Sequence, residues 1–225
     1  MGAIITDNLI MCLDAASPYS YPGSGSTWTD LSGHGNHATL ATAPTFSTSN
    51  GGCFNFNGTS QYMTIGTSSS THLLNPAVAT ASVWFRVEGE TGSYGGIFAA
   101  QYRWGFIYVN DGAGSYLDET VLSFTWGGGT IMEPTTTLSA GWHQAVTAWT
   151  ASGGSNSASL YIDGVLAAQG QIVYDSATSI LEIGRSDSTS QYFNGDVAVV
   201  HMYNSVLTHS EVKENYVAQR GRFTI

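Results

Sequence analysis

The chain has 225 residues, a formal charge of −10 and only six Lys and Arg, which excludes the positive surface a nucleic-acid backbone requires and disfavours an anionic membrane. Hydrophobic residues make up 42% and charged residues 10%, a balance that fills a sizeable core and favours short strands joined by Gly, Ser and Thr turns over helices. No run reaches the ~20 apolar residues that span a bilayer, and no basic region followed by a long apolar core marks a signal peptide. One soluble domain over residues 1–225 is the expectation.

In chain order, a first strand is predicted near Leu9 to Leu13. A loop rich in Pro, Gly and Ser follows, with Tyr19, Tyr21 and Trp28 interspersed. Flat rings in such a loop serve either to stack on sugar faces or to pin the loop to the body of the protein. Asp14 and Asp30, with loop carbonyls, form an oxygen set that suits Ca²⁺; the alternative for Asp30 is to organise the turn LSGHG. His34 and His37 lack the further ligands of a zinc set. Phe54 and Phe56 alternate with Asn55 and Asn57, and the Asn57-Gly58 turn predicts a hairpin over residues 52–65. In TASVWFRVEGE, alternation puts Ala81, Val83, Phe85 and Val87 on one face and Trp84 and Arg86 on the other, where they face either a ligand or a second packing layer.

Residues 92–133 predict strands at 97–101, 105–109 and 121–126. This stretch is dense in aromatic residues. Tyr94, Tyr102, Trp104, Tyr108 and Trp126 are the candidate ligand-binding residues, with Tyr116 among the rings nearby and Arg103 or Asp111 as polar anchors; the competing reading makes the same rings core and surface. A strand at 141–150 carries His143, read as a cross-strand polar residue because no Ser or Cys nucleophile motif accompanies it. Leu160 to Ile162 and Val165 to Ala168 flank Asp163-Gly164, the two positive-φ positions of a tight hairpin turn. Strand 180–184 leads to an exposed RSDSTSQ loop. The long strand in 192–204 is apolar on both faces and so central, with Val197, Val199, His201 and Tyr203 on one side. Thr208 three residues before Glu211 is a capping box for a helix over about residues 209–219. Cys12 and Cys53 sit in apolar segments that suit buried thiols, although two cysteines also permit one disulfide.

Several phrases occur in a recognisable order: LDAA, YPGSG, W-x-D-L-S-G, the F-N-G turn, GWHQAV, YIDG, IGRS, YFNGDVAVVHMYN and LTHSEVKENY. This order resembles the laminin-G-like, concanavalin A-type jelly-roll family, in particular its short bacteriophage and marine microbial versions. The resemblance covers residues 8–65 and 140–220. It implies an all-β, two-sheet antiparallel jelly-roll sandwich with a short C-terminal helix, in which calcium is a candidate cofactor.

The function expected from the resemblance is a non-enzymatic structural module on a virion surface, a capsid decoration or a fibre or tail accessory protein compatible with weak glycan binding, with capsid or tail proteins as partners, assembled in a host cytoplasm and a candidate for homo-oligomerisation. The first alternative is a lectin-like module that binds surface glycans; the second is a glycoside hydrolase or polysaccharide lyase. Glycosidases need two carboxylates about 5–5.5 Å apart for retention. Here Glu88 and Glu90 flank a glycine at a strand end, and adjacent Asp118 and Glu119 point to opposite faces if extended. The family's acidic pair after the second F-N-G turn is reduced to Asp196, followed by Val197 and Ala198.

Overall fold

The computed structural model describes residues 3–65, 77–89, 94–100, 104–110, 118–125, 131–150, 154, 156–173, 180–186 and 190–225. The strands are β1 (Leu9–Asp14), β2 (Thr27–Trp28), β3 (Ala38–Thr42), β4 (Thr45–Ser47), β5 (Cys53–Asn57), β6 (Tyr62–Ile65), β7 (Val78–Val87) and β8 (Tyr94–Ala100), followed by β9 (Trp104–Val109), β10 (Thr120–Thr125), β11 (Trp142–Thr150), β12 (Ala158–Ile162), β13 (Val165–Gly170), β14 (Leu181–Ile183) and β15 (Asn194–Tyr203). A helix, α1 (His209–Arg220), follows them. One antiparallel sheet runs β13-β12-β11-β7-β15-β5-β4, with β1 also on β15; the other runs β10-β9-β8-β14-β6-β3-β2. The fold is the expected jelly-roll sandwich with a C-terminal helix.

The two layers meet through Phe54 and Phe56 of β5, Val83 and Phe85 of β7, and Phe98, Trp104 and Phe106 of the opposite sheet, all at most 1% exposed. Burial of each such side chain contributes about 1.5–3 kcal/mol. β15 is central: its Asn194–Val197 portion pairs with β5 and its Val199–Tyr203 portion with β1, while β7 lies along its other side. The outer face of β7 is a second packing layer. Trp84 is fully buried there, stacked against Phe223 at 4.3 Å and Tyr216 at 5.6 Å, and its Nε1 donates to Gln219 Oε1 at 2.8 Å. A sheet with both faces covered explains why its strands are apolar on both sides.

Local signals account for the ends of these elements. Asp163 and Gly164 adopt φ of 51° and 74°, the primed turn that matches strand twist. The Thr208 hydroxyl accepts from the Glu211 backbone N–H and the Glu211 carboxylate accepts from the Thr208 N–H, so the capping box forms as expected. Both cysteines are free thiols. Burial, the largest cause, pushes Cys12 up to about 12 and Cys53 up to about 11.

Three expectations are corrected. β5 and β6 do not form a hairpin, because they belong to different sheets. The Asn57 carboxamide oxygen accepts from the backbone N–H groups of Thr59 and Ser60, turning the chain across the sandwich edge. The strand phase of β15 also differs. A bulge between Val197 and Val199 lets Val197, Val200 and Met202 share the inter-sheet core, whereas Val199 packs with Trp84 and Tyr203 packs beneath α1. Finally, the RSDSTSQ segment does not begin exposed: Arg185 is buried, its guanidinium bonded to both Glu182 carboxylate oxygens and lying 3.6 Å from the Tyr62 ring centroid.

Candidate ligand-binding cleft

At one end of the sandwich a cleft of about 280 Å³ opens between the layers. The end of β7 and the segment leading into β11 supply one wall; the end of β9 and the approach to β10 supply the other. Tyr108, Asn110, Glu88, Glu119, Ser139 and His143 are its polar lining. Glu119 has φ of 56°, a left-handed conformation unusual for a side-chain-bearing residue. Its backbone is clamped on both sides: its N–H donates to the Val109 carbonyl at 2.8 Å, and its carbonyl accepts from the Leu138 N–H at 2.7 Å. The 138–141 segment is thereby tied to the opposite wall.

Glu88 is already engaged. Arg86 Nη2 donates to its Oε1 at 2.6 Å and Asn55 Nδ2 to its Oε2 at 2.7 Å, while the same guanidinium also bonds Asp196, itself 2% exposed. Asp196 thus anchors Arg86. Glu119 is solvent-exposed.

His143 forms the cleft's floor on the β11 side. Its Nδ1 lies 2.7 Å from Asp163 Oδ2, and its Nε2 lies 2.8 Å from the Ser139 carbonyl oxygen. Both partners are acceptors, so the ring satisfies both only when both nitrogens carry hydrogen. Burial would lower its pKa; the Asp163 carboxylate and the Ser139 carbonyl outweigh burial and raise it. Ser139 Oγ is 3.4 Å from the same Nε2, which gives the outline of a Ser-His-Asp series. The shorter contact to the carbonyl directs the Nε2 hydrogen there, away from the role of base toward the hydroxyl. The arrangement is a clamp between the β12–β13 turn and the 138–141 segment.

The sequence-based candidates separate clearly. Tyr108 lines the cleft, 8% exposed. Trp104 does not: it is 1% exposed, packed on Trp149 at 5.1 Å and Phe98 at 5.5 Å, and so presents no ring face to a ligand. Tyr94 is half-buried on β8, paired across to Val109. Tyr102, Arg103, Asp111, Tyr116 and Trp126 lie outside the described residues. In the N-terminal loop, Tyr21 and Trp28 pack on Phe54 at 4.8 Å each, whereas Tyr19 is exposed.

Asp14 and Asp30 do not fit a calcium pair. The Asp30 carboxylate accepts four hydrogen bonds, from the N–H groups of Cys12, Ser32 and Asn36 and from Ser32 Oγ, which fill its lone pairs. Asp14 Oδ1 accepts from the Ala16 N–H and from Arg222. Among the described residues no three His, Cys, Asp or Glu gather as a metal set.

Asn110, the 138–141 wall and the His143–Asp163 clamp were missed in the sequence. A signal for the clamp existed: β11 pairs with β12 so that Ala145 faces Ile162, which carries His143 to the turn where Asp163 sits.

The architecture is a two-sheet jelly roll with a partly polar cleft at its strand ends. Residues 57–213 match the family model Laminin_G_3, the Concanavalin A-like lectin/glucanases superfamily, and the chain belongs to that family. Among solved structures it resembles Trypanosoma rangeli sialidase, 18% identical with a TM-score of 0.71 over 99% of this chain and 35% of the sialidase. It also resembles domain 4 of AbnA, a GH43 extracellular arabinanase from Geobacillus stearothermophilus, in complex with arabinotriose: 14% identity, TM-score 0.67, 93% of this chain and 98% of that domain. The receptor binding domain of botulinum neurotoxin C/D mosaic serotype matches with 14% identity and TM-score 0.69, over 96% of this chain and 52% of that one. At these identities the likeness is one of fold, and the chain spans about a third of the sialidase it matches. No curated protein is significantly similar in sequence.

Proposed function

We propose that the protein is a non-catalytic glycan-binding module that takes the end of a neutral oligosaccharide in the cleft between β7, β9 and the 138–141 segment. The observation that carries this reading is the convergence of Tyr108, Asn110 and Glu119 on one cleft whose size is near the lower end of small-molecule sites, ~300 Å³. An aromatic ring, an amide and a carboxylate are the groups that recognise sugar C–H faces and hydroxyls. Glu88 and Glu119 on the rim, in a chain of net charge −10, select against sialic and uronic acids. Glycoside hydrolysis calls for two carboxylates in distinct acid and nucleophile or base roles. Glu88 is held by Arg86 and Asn55, which supports binding without turnover.

A domain-sized structural relative, the arabinanase domain 4, holds arabinotriose, and this supports a saccharide as ligand. The virion setting, with capsid or tail proteins as partners, rests on the phage-type resemblance; a glycan-binding module there decorates the particle and engages surface polysaccharide. The test is a glycan array with and without Ca²⁺, followed by calorimetry with arabinotriose. Binding of neutral glycans that falls about tenfold or more in Asn110→Ala and Glu119→Gln, with unchanged melting temperature, is expected. Absence of any glycan binding, or binding by both variants as tight as that of the unsubstituted protein, contradicts the reading.

A further inference from the structure

His143 joins the β12–β13 turn to the 138–141 segment. Its Nδ1 reaches Asp163 in the β12–β13 turn, and its Nε2 reaches the Ser139 carbonyl in the cleft wall. Asp163 is itself fixed: its Oδ1 accepts from the Gln144 N–H at 2.8 Å and its own N–H donates to the Gln144 carbonyl at 2.9 Å. The turn is therefore the fixed end of the clamp, and the 138–141 segment, held on its far side through Leu138 and Glu119, is the other end. A second hollow, of about 240 Å³, lies behind that segment and shares Leu138, Ser139 and His143 with the cleft. The wall thus stands between two open spaces.

When the ring loses a proton, one of its two bonds must go. The bond to the Asp163 carboxylate is charge-assisted and outlasts the one to a neutral carbonyl. Nε2 then turns a lone pair toward the Ser139 carbonyl at a separation set for a hydrogen bond. The repulsion is relieved by movement of the wall into the hollow behind it. Because Leu138 donates to the Glu119 carbonyl, that movement is transmitted to the opposite side of the cleft.

We propose that protonated His143 holds the cleft in its ligand-binding form, and that deprotonation releases the Ser139 wall and weakens the ligand. This rests on the glycan-binding reading of the cleft and adds its regulation. The charged groups around the ring are Asp163 from the β12–β13 turn, and Glu88 and Glu119 across the cleft. The Phe85 ring of β7, 6.1 Å away, is uncharged, and Arg86 of the same strand is engaged by Asp196 and Glu88. Of these groups it is the Asp163 carboxylate, with the Ser139 carbonyl, that favours the imidazolium against burial. The ring's pKa lies above the ordinary value of 6.5, so the closed form dominates below that value and is lost as pH rises through the raised one.

The experiment is an NMR titration of the full chain across pH 5–9, following the His143 ring and the Ala140 and Gly141 amides, with arabinotriose affinity measured at each pH. The result expected is one shared midpoint above 6.5 for ring and amides, with affinity falling about fivefold or more through it. In Asp163→Asn, which can keep the turn and the Gln144 bond, that midpoint moves down by about one pH unit or more. A ring that titrates at or below 6.5, or amides and affinity that ignore its titration, overturns the switch. If ring and amides move together but arabinotriose binds at no pH, the ligand reading has failed and with it the regulatory role, while the clamp itself stands.

Discussion

Two buried histidines in the same sheet behave in opposite ways. His143, on β11 at the sandwich end, points both nitrogens at acceptors, and its pKa is raised. His201, near the C-terminal end of β15 between Cys12 of β1 and Ser82 of β7, is 1% exposed. Its Nδ1 has no hydrogen-bond partner among the described residues. Burial pushes it down to about 4, against a small opposing pull from Asp14. Burial acts on both rings in the same direction, so what separates them is the supply of acceptors. A carboxylate and a carbonyl overcome desolvation at His143, and their absence leaves the His201 ring neutral.

The comparison predicts opposite pH signs. A depressed folded pKa means that the folded state binds fewer protons below 6.5, so the contribution of His201 to stability is full above that pH and falls as pH drops toward about 4. This is the largest effect expected, ~3 kcal/mol across that window at ~1.4 kcal/mol per pH unit. Denaturant unfolding from pH 7 to pH 4 should show it, and His201→Gln should flatten the profile. An unchanged slope in that variant breaks the comparison from the His201 side. Next in size is Asp163→Asn, expected to cost about 1–3 kcal/mol at pH 6 through loss of a charge-assisted bond to a buried ring.

His143→Gln tests the same clamp by its sign. Since the raised pKa stabilises the fold below 6.5 and the gain is lost as pH rises through the folded value, wild type and variant should differ most at pH 6 and converge toward pH 9. A difference that grows with pH contradicts the assignment. The smallest effect, ~1 kcal/mol, is expected for Thr208→Ala, which removes the helix cap on α1 away from both rings. Its loss should be equal at pH 5 and pH 8, and so provides the baseline against which both histidine profiles are read.

Much of the fold was legible because its signals are local. The Asp163-Gly164 turn, the Thr208–Glu211 box and the alternation Ala81, Val83, Phe85 depend on neighbours in sequence, and the structure keeps them. The failures are non-local. The bulge in β15 inverts the faces after Val197, and whether Asn57-Gly58 closes a hairpin or crosses between sheets depends on which strand each arm meets. The cleft was harder still. Aromatic density drew attention to residues 94–126, yet a Trp in that stretch serves the core equally well, and Trp104 does. Of the same group, Tyr108 lines the cleft. Glu119 and the 138–141 wall carry no composition signal, because their meeting is set by strand ends from two different sheets.

The most direct measurement of the central claim is an amide NMR titration of the full chain with arabinotriose at pH 6. Saturable shifts confined to Tyr108, Asn110, Glu119 and residues 138–141 are the predicted result. A spectrum that arabinotriose leaves unchanged, or shifts that cluster away from this cleft, would contradict the account.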